Sequence, residues 1–152
     1  MSRAMTREEC EAFVAEVRVG VIGLERSGRA PLTVPIWYVY EPGGDFWIMI
    51  ESDSVKQRLI ERAGRFSLCV QSETPPYKFV SVEGRVTSVR PSDKDRDERR
   101  MARRYLGEEL GDVYIEVSKT DPTNRPGLIV TMRPEAWFSS DFGKQWTSNP
   151  TG

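Results

Sequence analysis

The sequence predicts a mainly β protein in which an antiparallel sheet closes into a small barrel, accompanied by few helices. Three observations favour this fold class. Segments with a strand pattern outnumber helical segments, tight turns join most of them, and no internal repeat or low-complexity linker interrupts the chain. The length of 152 residues suits one domain with one core, so we interpret residues 1–152 as a single domain.

The first third of the chain is predicted to contain one helix and three strands. Thr6 and Glu9 have the spacing of a capping box, which predicts a helix over residues 6–16. Strand patterns cover residues 17–24, 32–40 and 45–51. The last two of these are joined by residues 41–44, where the Pro-Gly-Gly sequence is typical of a hairpin turn.

The remainder of the chain is predicted to alternate less regularly. Ser54 and Gln57 form a second capping box, which predicts a helix over residues 54–63 that ends at Gly64. Strands are expected at 65–71 and 78–89, with a bulge or close approach at Gly84. A third helix is expected at 92–106, and the last strands at 128–132 and 136–138, around Pro134. Residues 112–117 fit either a helix or a strand, and residues 141–152 show no periodicity.

The composition excludes several kinds of catalyst. The sequence contains no histidine, which removes Ser-His-Asp and Cys-His catalysis and the commonest zinc, haem and general-base arrangements. Cys10 and Cys69 are predicted to lie on a helix and in a buried strand. Such a pair makes a poor zinc site, and we interpret both residues as free thiols. If the protein is an enzyme, a bound cofactor is expected to carry the chemistry.

Charge and hydropathy suggest where the protein acts. The net charge is −1, which gives no global field for a nucleic-acid partner. No apolar run reaches the roughly 18 residues that a membrane span needs, and residues 1–9 lack the apolar core of a signal peptide. We therefore expect a cytoplasmic protein without a membrane or nucleic-acid partner.

Residues 35–62 carry the clearest chemical pattern, which is a strand, a tight turn, a strand and a helix that opens with Ser54, Lys56 and Arg58. A helix N-terminus has free backbone N–H groups and a partial positive charge. A serine and two cations placed there form a cradle for an anion, typically a phosphate. The alternative interpretation is that Ser54 only caps the helix and that the two cations are solvated.

Aromatic residues in the strands before this helix are candidates for holding a flat ring. Strand alternation places Trp37 on the face opposite Tyr38 and Tyr40, so one face can pack inward while the other meets a ligand or a partner subunit. Core packing is the alternative for each ring. Pro35 lacks a backbone donor, which fits an edge or ligand-facing position. Tyr77, after a Pro-Pro turn, is a candidate for a pocket mouth, with core or rim packing as the alternative.

A basic stripe is predicted along the third helix. Arginines recur at helical spacing and share one face: Arg96, Arg99, Arg100, Arg103 and Arg104. The opposite face should be buried: Met101, Ala102, Tyr105 and Leu106. The stripe is interpreted either as a landing surface for a polyanion or as a solvated face that nearby acidic residues neutralise. No base-reading motif accompanies it.

The order of these pieces resembles the pyridoxamine 5′-phosphate oxidase-like split β-barrel superfamily and, within it, the actinobacterial flavin/deazaflavin oxidoreductases of the B group. The resemblance is carried by Val19-Gly20-Val21-Ile22, Pro35-Ile36-Trp37-Tyr38, Ser54-x-Lys56-x-x-Leu59, Phe66-Ser67-Leu68-Cys69-Val70 and Val80-Ser81-Val82-Glu83-Gly84-Arg85-Val86. It covers residues 6–89 well and the rest of the chain in outline.

The resemblance implies a homodimer of split β-barrels with two cofactor sites at the subunit interface. It implies that Ser54, Lys56 and Arg58 hold the cofactor phosphate. The strand that runs from Pro35 through Ile36 and Trp37 to Tyr38 would then lie beside the isoalloxazine-type ring. The expected cofactor is coenzyme F-420, with FMN as the alternative.

The resemblance also suggests a reaction. We expect hydride transfer from the reduced deazaflavin to a small organic acceptor, or alternatively the same reaction class with FMN, or a non-catalytic cofactor carrier or sensor. F-420 carries a polyglutamate tail, and Arg99 and Arg103 on the basic stripe suit such a tail by charge, an assignment that rests on no family motif. The pyridoxamine phosphate oxidases proper use a histidine and further arginines near the C-terminus. Residues 133–137 do not match that pattern, so oxidation of the vitamin is not expected.

Overall fold

The computed structural model describes residues 2–147, with only the backbone described at residues 146 and 147. The strands are β1 (Gly20–Leu24), β2 (Leu32–Ile36), β3 (Tyr38–Tyr40), β4 (Phe46–Glu51), β5 (Arg65–Gln71), β6 (Lys78–Pro91) and β7 (Gly127–Asp141). The helices are α1 (Arg7–Ala15), α2 (Val55–Ala63), α3 (Arg99–Leu106), α4 (Glu108–Thr120) and α5 (Gly143–Thr147), and a π-helical turn (Lys94–Glu98) leads into α3. Within this range, none of the helices combines the length and the apolar character that crossing a membrane requires.

The described strands form an antiparallel sheet in the order β2-β1-β5-β6-β7-β4-β3. Its two edge strands, β2 and β3, follow each other in the sequence and are separated only by Trp37. A sheet whose two edges are joined by one residue must curl until those edges adjoin, which is the geometry of a barrel. The predicted fold class, mainly antiparallel β with few helices, is confirmed.

The core fills the inside of this barrel. Alternate residues of the strands point inward, and α1 and α2 cover the open ends with their apolar sides. The largest fully buried side chains from the sheet are Tyr38, Phe46, Ile22, Leu24, Ile48 and Leu68. Because these inward positions take up one face of each strand, the residues between them lie on the outer face, where a ligand or another protein can reach them.

The caps of the first two helices follow the predicted pattern, with one change. The side chain of Thr6 accepts a hydrogen bond from Glu9 N–H while Glu9 accepts one from Thr6 N–H, so the first capping box is confirmed. Ser54 accepts from Gln57 N–H, but the Gln57 side chain accepts from Asp53 N–H rather than from Ser54. Gly64 ends α2 with φ 69°, a left-handed conformation that suits glycine.

Several predicted segments differ from the structure. The predicted strand over residues 32–40 is broken at Trp37, and the ambiguous residues 112–117 lie inside α4. The two predicted C-terminal strands are one strand, β7, because a register shift between Glu83 and Gly84 lets Pro134 pass without breaking the pairing. Of the predicted irregular tail, residues 143–147 form α5, and residues 148–152 lie outside the described part of the chain.

Gly84 confirms the predicted close approach. A Cβ atom at this position would collide with the backbone carbonyl oxygen of Arg133 on the neighbouring strand. The two long strands β6 and β7 can therefore cross at the bulge only because residue 84 has no side chain.

Candidate functional site

Three adjoining cavities form a groove on the outer face of the sheet. The central cavity, of about 360 Å³, is lined by Val19, Pro35, Ile36, Trp37, Met49, Met101 and Tyr114. It shares Met49 and Tyr114 with a second cavity of about 520 Å³, the α2 cavity, which Ser54 and Lys56 also line. It shares Val19 and Pro35 with a third cavity of about 520 Å³, the β5 cavity, which extends towards Cys69. The shared walls make the three cavities continuous.

Trp37 forms a flat and fixed wall of the central cavity. Its ring stacks on that of Tyr105 from α3, with ring centroids 4.8 Å apart and 5° between the planes. The Tyr105 hydroxyl donates to the carbonyl of Arg18 at 2.7 Å and accepts from the N–H of Tyr38 at 3.1 Å. The stack therefore holds the break between β2 and β3 in place. The prediction that Trp37 lies on the face opposite Tyr38 is confirmed.

The chemistry of the central cavity is almost entirely apolar. Among the residues that line it, Tyr114 is the one with an ionisable side chain. In the adjoining β5 cavity, burial raises the pKa of the Cys69 thiol, which disfavours the reactive thiolate. The groove is suited to holding a flat, largely apolar group, and a reaction in it would depend on chemistry that a bound cofactor supplies.

The start of α2 provides a positively polarised end to the groove. The first turn of a helix leaves backbone N–H groups without intrahelical partners, and here the Ser54 side chain satisfies only that of Gln57. Lys56 is half-buried and has no hydrogen-bond or ion-pair partner among residues 2–147. A half-buried cation beside free N–H groups is a favourable place for an anion. The structure thus brings Ser54 and Lys56 together, and both interpretations of Ser54, as a cap and as a lining residue, hold.

Arg58 is separated from this pair. Two residues along a helix correspond to more than half a turn, so Arg58 leaves the helix on the side away from Lys56. Its guanidinium donates to the carbonyl of Asp53 at 3.2 Å, and it lines none of the three cavities of the groove. The prediction that Arg58 joins Lys56 at one anion does not agree with this placement.

Tyr38 and Tyr77 are also placed differently from the prediction. Tyr38 is fully buried, and its hydroxyl donates to the carbonyl of Val14 at 2.7 Å inside the barrel. Burial raises its pKa above the ordinary tyrosine value. Its side chain therefore belongs to the core, and only its backbone borders the outer face. Tyr77 is exposed, follows the Pro75–Pro76 turn and does not line the groove.

The predicted basic stripe does not form one free surface. Arg99 donates to Asp95, Asp112 and Glu116 at 2.6, 2.9 and 2.7 Å. Arg103 donates to both carboxylate oxygens of Asp112, each at 2.8 Å. These bonds, to Arg103 first and Arg99 second, hold the pKa of Asp112 well below its usual range.

The arginines of the stripe therefore serve to join helices. Arg99 and Arg103 connect α3 to α4, and carboxylates already take up their donors, so neither offers a free charge to a polyanion. Arg104 instead donates to the carbonyl of Ala15, beyond the end of the predicted shared face. The predicted buried face is confirmed at Met101 and Ala102. The sequence placed acidic neighbours within the same segment, but two of the three carboxylates come from α4.

Sequence reasoning missed four residues of the groove: Val19, Met49, Tyr114 and Arg125. For Tyr114 a pattern was present, because residues 110, 113, 114 and 117 are apolar at helical spacing. That pattern indicates an amphipathic helix whose apolar side carries Tyr114. For Met49 the alternation of β4 places it outward, but nothing in the sequence says which helix covers that face.

Comparison with known proteins places the chain in a family. The family described as pyridoxamine 5′-phosphate oxidase matches residues 6–141. A search of curated proteins finds no match. Solved structures share the fold at low sequence identity.

Three of these structures span the range of what the fold neighbours are. An F420 reductase is 18% identical, with 84% of this chain and 94% of that chain covered and a TM-score of 0.68. A conserved hypothetical protein from Mycobacterium tuberculosis is 19% identical, with coverage of 99% and 94% and a TM-score of 0.70. An FAD-binding protein from Mesorhizobium loti is 18% identical, with coverage of 89% and 94% and a TM-score of 0.59.

The predicted resemblance to the split β-barrel superfamily is confirmed, while its F-420-binding subgroup stays a hypothesis. The family match spans 6–141 of 152 residues and includes the strands, helices and groove described above. The protein is therefore a member of the pyridoxamine 5′-phosphate oxidase family.

Proposed function

We propose that the protein is an oxidoreductase that binds coenzyme F-420 in the groove and transfers hydride from the reduced deazaflavin to a small organic acceptor. The observation that carries this proposal is the continuity of the groove. The α2 cavity, with Ser54 and the unpaired Lys56, opens through Met49 and Tyr114 into the apolar central cavity beside Trp37. A flat ring joined to a phosphate by a short chain has this same sequence of apolar and anionic parts.

The residues of the chain would bind and orient the cofactor. Lys56 and the N–H groups of the first turn of α2 would hold the phosphate, and Pro35, Ile36 and Trp37 would lie beside the ring. The apolar walls of the central cavity would exclude water from the reacting face. When bound, the reduced cofactor itself supplies the hydride, so the absence of histidine from the sequence is no obstacle.

FMN is the second candidate cofactor, since it offers the same combination of a flat ring and a phosphate. A structural neighbour that is an F420 reductase supports the deazaflavin, and another that is an FAD-binding protein supports a flavin. Both neighbours are distant, and the placement of Arg99 and Arg103 in ion pairs removes the charge argument that favoured a polyglutamate tail. Oxidation of pyridoxamine phosphate is not proposed, since the sequence has no histidine and lacks the C-terminal pattern.

We further propose that the protein acts as a homodimer with the groove at the interface. The outer face near the groove is apolar and exposed at Val19 and Val21 of the first strand region. α4 adds an exposed apolar stripe at helical spacing: Leu110, Val113, Tyr114 and Val117. Val19 and Tyr114 line the central cavity together, so a second subunit that covered these surfaces would also close the groove.

The proposal is tested by titrating the purified protein with F-420 and, in parallel, with FMN, and by following oxidation of each reduced cofactor with added acceptors. Micromolar binding of F-420, weak binding of FMN and acceptor-dependent oxidation are expected. Preference for FMN would move the activity to the flavin. Binding without turnover across a broad acceptor panel would favour the carrier or sensor hypothesis. Binding of neither cofactor would refute the proposed function.

A further inference from the structure

The loop at residues 121–127 is held against the start of α2. The N–H of Ser52 donates to the carbonyl of Pro126 at 2.9 Å, and β4 pairs with β7 up to the opposed residues Glu51 and Gly127. Ser92 N–H donates to Gly127 O at 3.0 Å from the other side. The residue just before Pro126, which is Arg125, is thus fixed by backbone bonds at the same place from which the chain enters α2.

The other end of the loop is also fixed. Asp121 accepts hydrogen bonds from the N–H and the hydroxyl of Thr123 at 2.9 and 2.7 Å. Lys94 donates to the side chain of Asn124 at 2.9 Å. Proline at position 126 restricts Arg125 to an extended backbone. Arg125 therefore projects from a pre-organised loop rather than from a free one.

Arg125 lines the α2 cavity opposite Lys56. Three carboxylates also line it, but two are already engaged: Glu98 accepts from Lys94 at 3.2 Å and from Ser92 at 2.7 Å, and Asp121 turns to Thr123. Within residues 2–147, Arg125 has no hydrogen-bond or ion-pair partner, as is also true of Lys56. Two unpartnered cations then face one exposed carboxylate, that of Glu51.

We propose that Arg125 and Lys56 clamp one phosphate ester from two sides, so that the loop before β7 forms the second half of the anion site. This inference rests on the proposed function for the identity of the ligand, and it adds a residue and an element to the site. A guanidinium offers several donors in a fixed plane and can take two phosphate oxygens, while the ammonium of Lys56 supplies a point charge. The phosphate belongs either to the monoester of FMN or to the diester of F-420, and both present oxygens that such a clamp can bind.

The test compares Arg125→Gln with wild type on matched ligand pairs. The pairs are FMN with riboflavin, and F-420 with its phosphate-free riboflavin-level analogue, each followed by fluorescence titration. Arg125→Gln should weaken binding of the phosphorylated member of the preferred pair by about tenfold, the scale of a charge-assisted hydrogen bond at a partly exposed site, and should leave the phosphate-free member within about twofold. Which pair shows the loss identifies the source of the phosphate.

Two controls make the result decisive. Arg29→Gln removes the same charge from an exposed arginine outside the groove and should change neither ligand of a pair. The double variant Lys56→Gln/Arg125→Gln should lose less than the product of the two single losses, because both side chains bind one anion.

The outcomes separate this inference from the proposed function. Equal losses for phosphorylated and phosphate-free ligands, or no loss in Arg125→Gln while Lys56→Gln loses affinity, would overturn the clamp and leave the proposed function standing. Failure of the wild-type protein to bind any of the four ligands would overturn both.

Discussion

At the scale of single residues, Lys56 is a favourable anion ligand because of its surroundings. It is half-buried, it stands in the first turn of α2, and no carboxylate in the described chain neutralises it. Arg58 carries the same charge two residues later but points to the carbonyl of Asp53. The two residues therefore separate a direct contact with a phosphate from the general positive potential of the helix start.

We predict that Lys56→Gln weakens binding of the phosphorylated cofactor by roughly 1–2 kcal/mol, while Arg58→Gln changes it by less than about 0.5 kcal/mol. The reason is that only the first variant removes a donor that faces the α2 cavity. Parallel titrations of the two variants check the prediction. Similar losses in both would show that the cofactor senses the field of the helix rather than contacting Lys56.

Residue types revealed some of these roles and hid others. The cap at Ser54, the charge at Lys56 and the outward position of Trp37 follow from local rules of helix starts and strand alternation, so the sequence was sufficient for them. The fates of Arg99 and Tyr38 depend on which distant groups meet them, namely the α4 carboxylates and the carbonyl of Val14. Spacing along one element does not contain that information.

At the scale of elements, α3 and α4 are joined by a network of exposed ion pairs. Asp112 receives Arg103 and Arg99, and both contacts lower its pKa. A carboxyl whose pKa is lower in the folded chain than in the unfolded chain adds stability above its unfolded pKa of about 3.9, and that stability is lost as the pH falls towards the folded value. The network should therefore matter at neutral pH and disappear in acid.

We predict that Asp112→Asn lowers the free energy of unfolding at pH 7 and that the difference from wild type shrinks as the pH falls from about 5 towards 3. Urea unfolding at a series of pH values measures this difference. Glu109→Gln on the same helix is the matched control, because Glu109 makes no ion pair in the described structure. A difference that stayed constant with pH would contradict the assignment to this carboxylate.

The crossing of β6 and β7 depends on a glycine. A Cβ atom at Gly84 would meet the Arg133 carbonyl, a backbone group that cannot rotate away. We predict that Gly84→Ala destabilises the fold by about 1–3 kcal/mol, the usual cost of overpacking a tight position. Thermal or urea unfolding checks it, with Ser88→Ala, an exposed position on the same strand, as the control. Equal stability of the two variants would mean that the bulge relaxes without cost.

Element boundaries show where the sequence information ended. The strand β5 was predicted with its observed bounds, because alternation and a preceding glycine define it. The break at Trp37 was not predicted, because the local sequence remains strand-like and the break arises where the sheet closes. The helical character of α4 was visible only in its apolar spacing, which also fits a short strand over residues 112–117.

At the scale of the whole molecule, the exposed apolar surface of α4 and β1 lies beside the groove. Single exposed apolar residues are common, but a stripe at helical spacing that continues into a cavity is typical of a contact surface. The proposed homodimer would bury this stripe and complete the walls of the cofactor site.

We predict that Val113→Glu/Val117→Glu converts a dimeric protein into a monomer and weakens cofactor binding at the same time. Both side chains are more than half exposed, at 53% and 62%, so the folded chain should tolerate the charges. Light scattering after size-exclusion chromatography measures the mass, and Val89→Glu, another exposed valine, is the control. A wild-type protein that is monomeric at micromolar concentration would contradict the proposed dimer.

The central claim is that one groove, from the start of α2 to Trp37, binds the cofactor. Amide hydrogen exchange with and without saturating F-420 or FMN tests it most directly. We predict slower exchange in peptides that contain Trp37 and Lys56 and no change in the β1–β2 turn at residues 25–31, which lies outside the groove. Protection that left both of these peptides unchanged and appeared elsewhere in the chain would contradict the account.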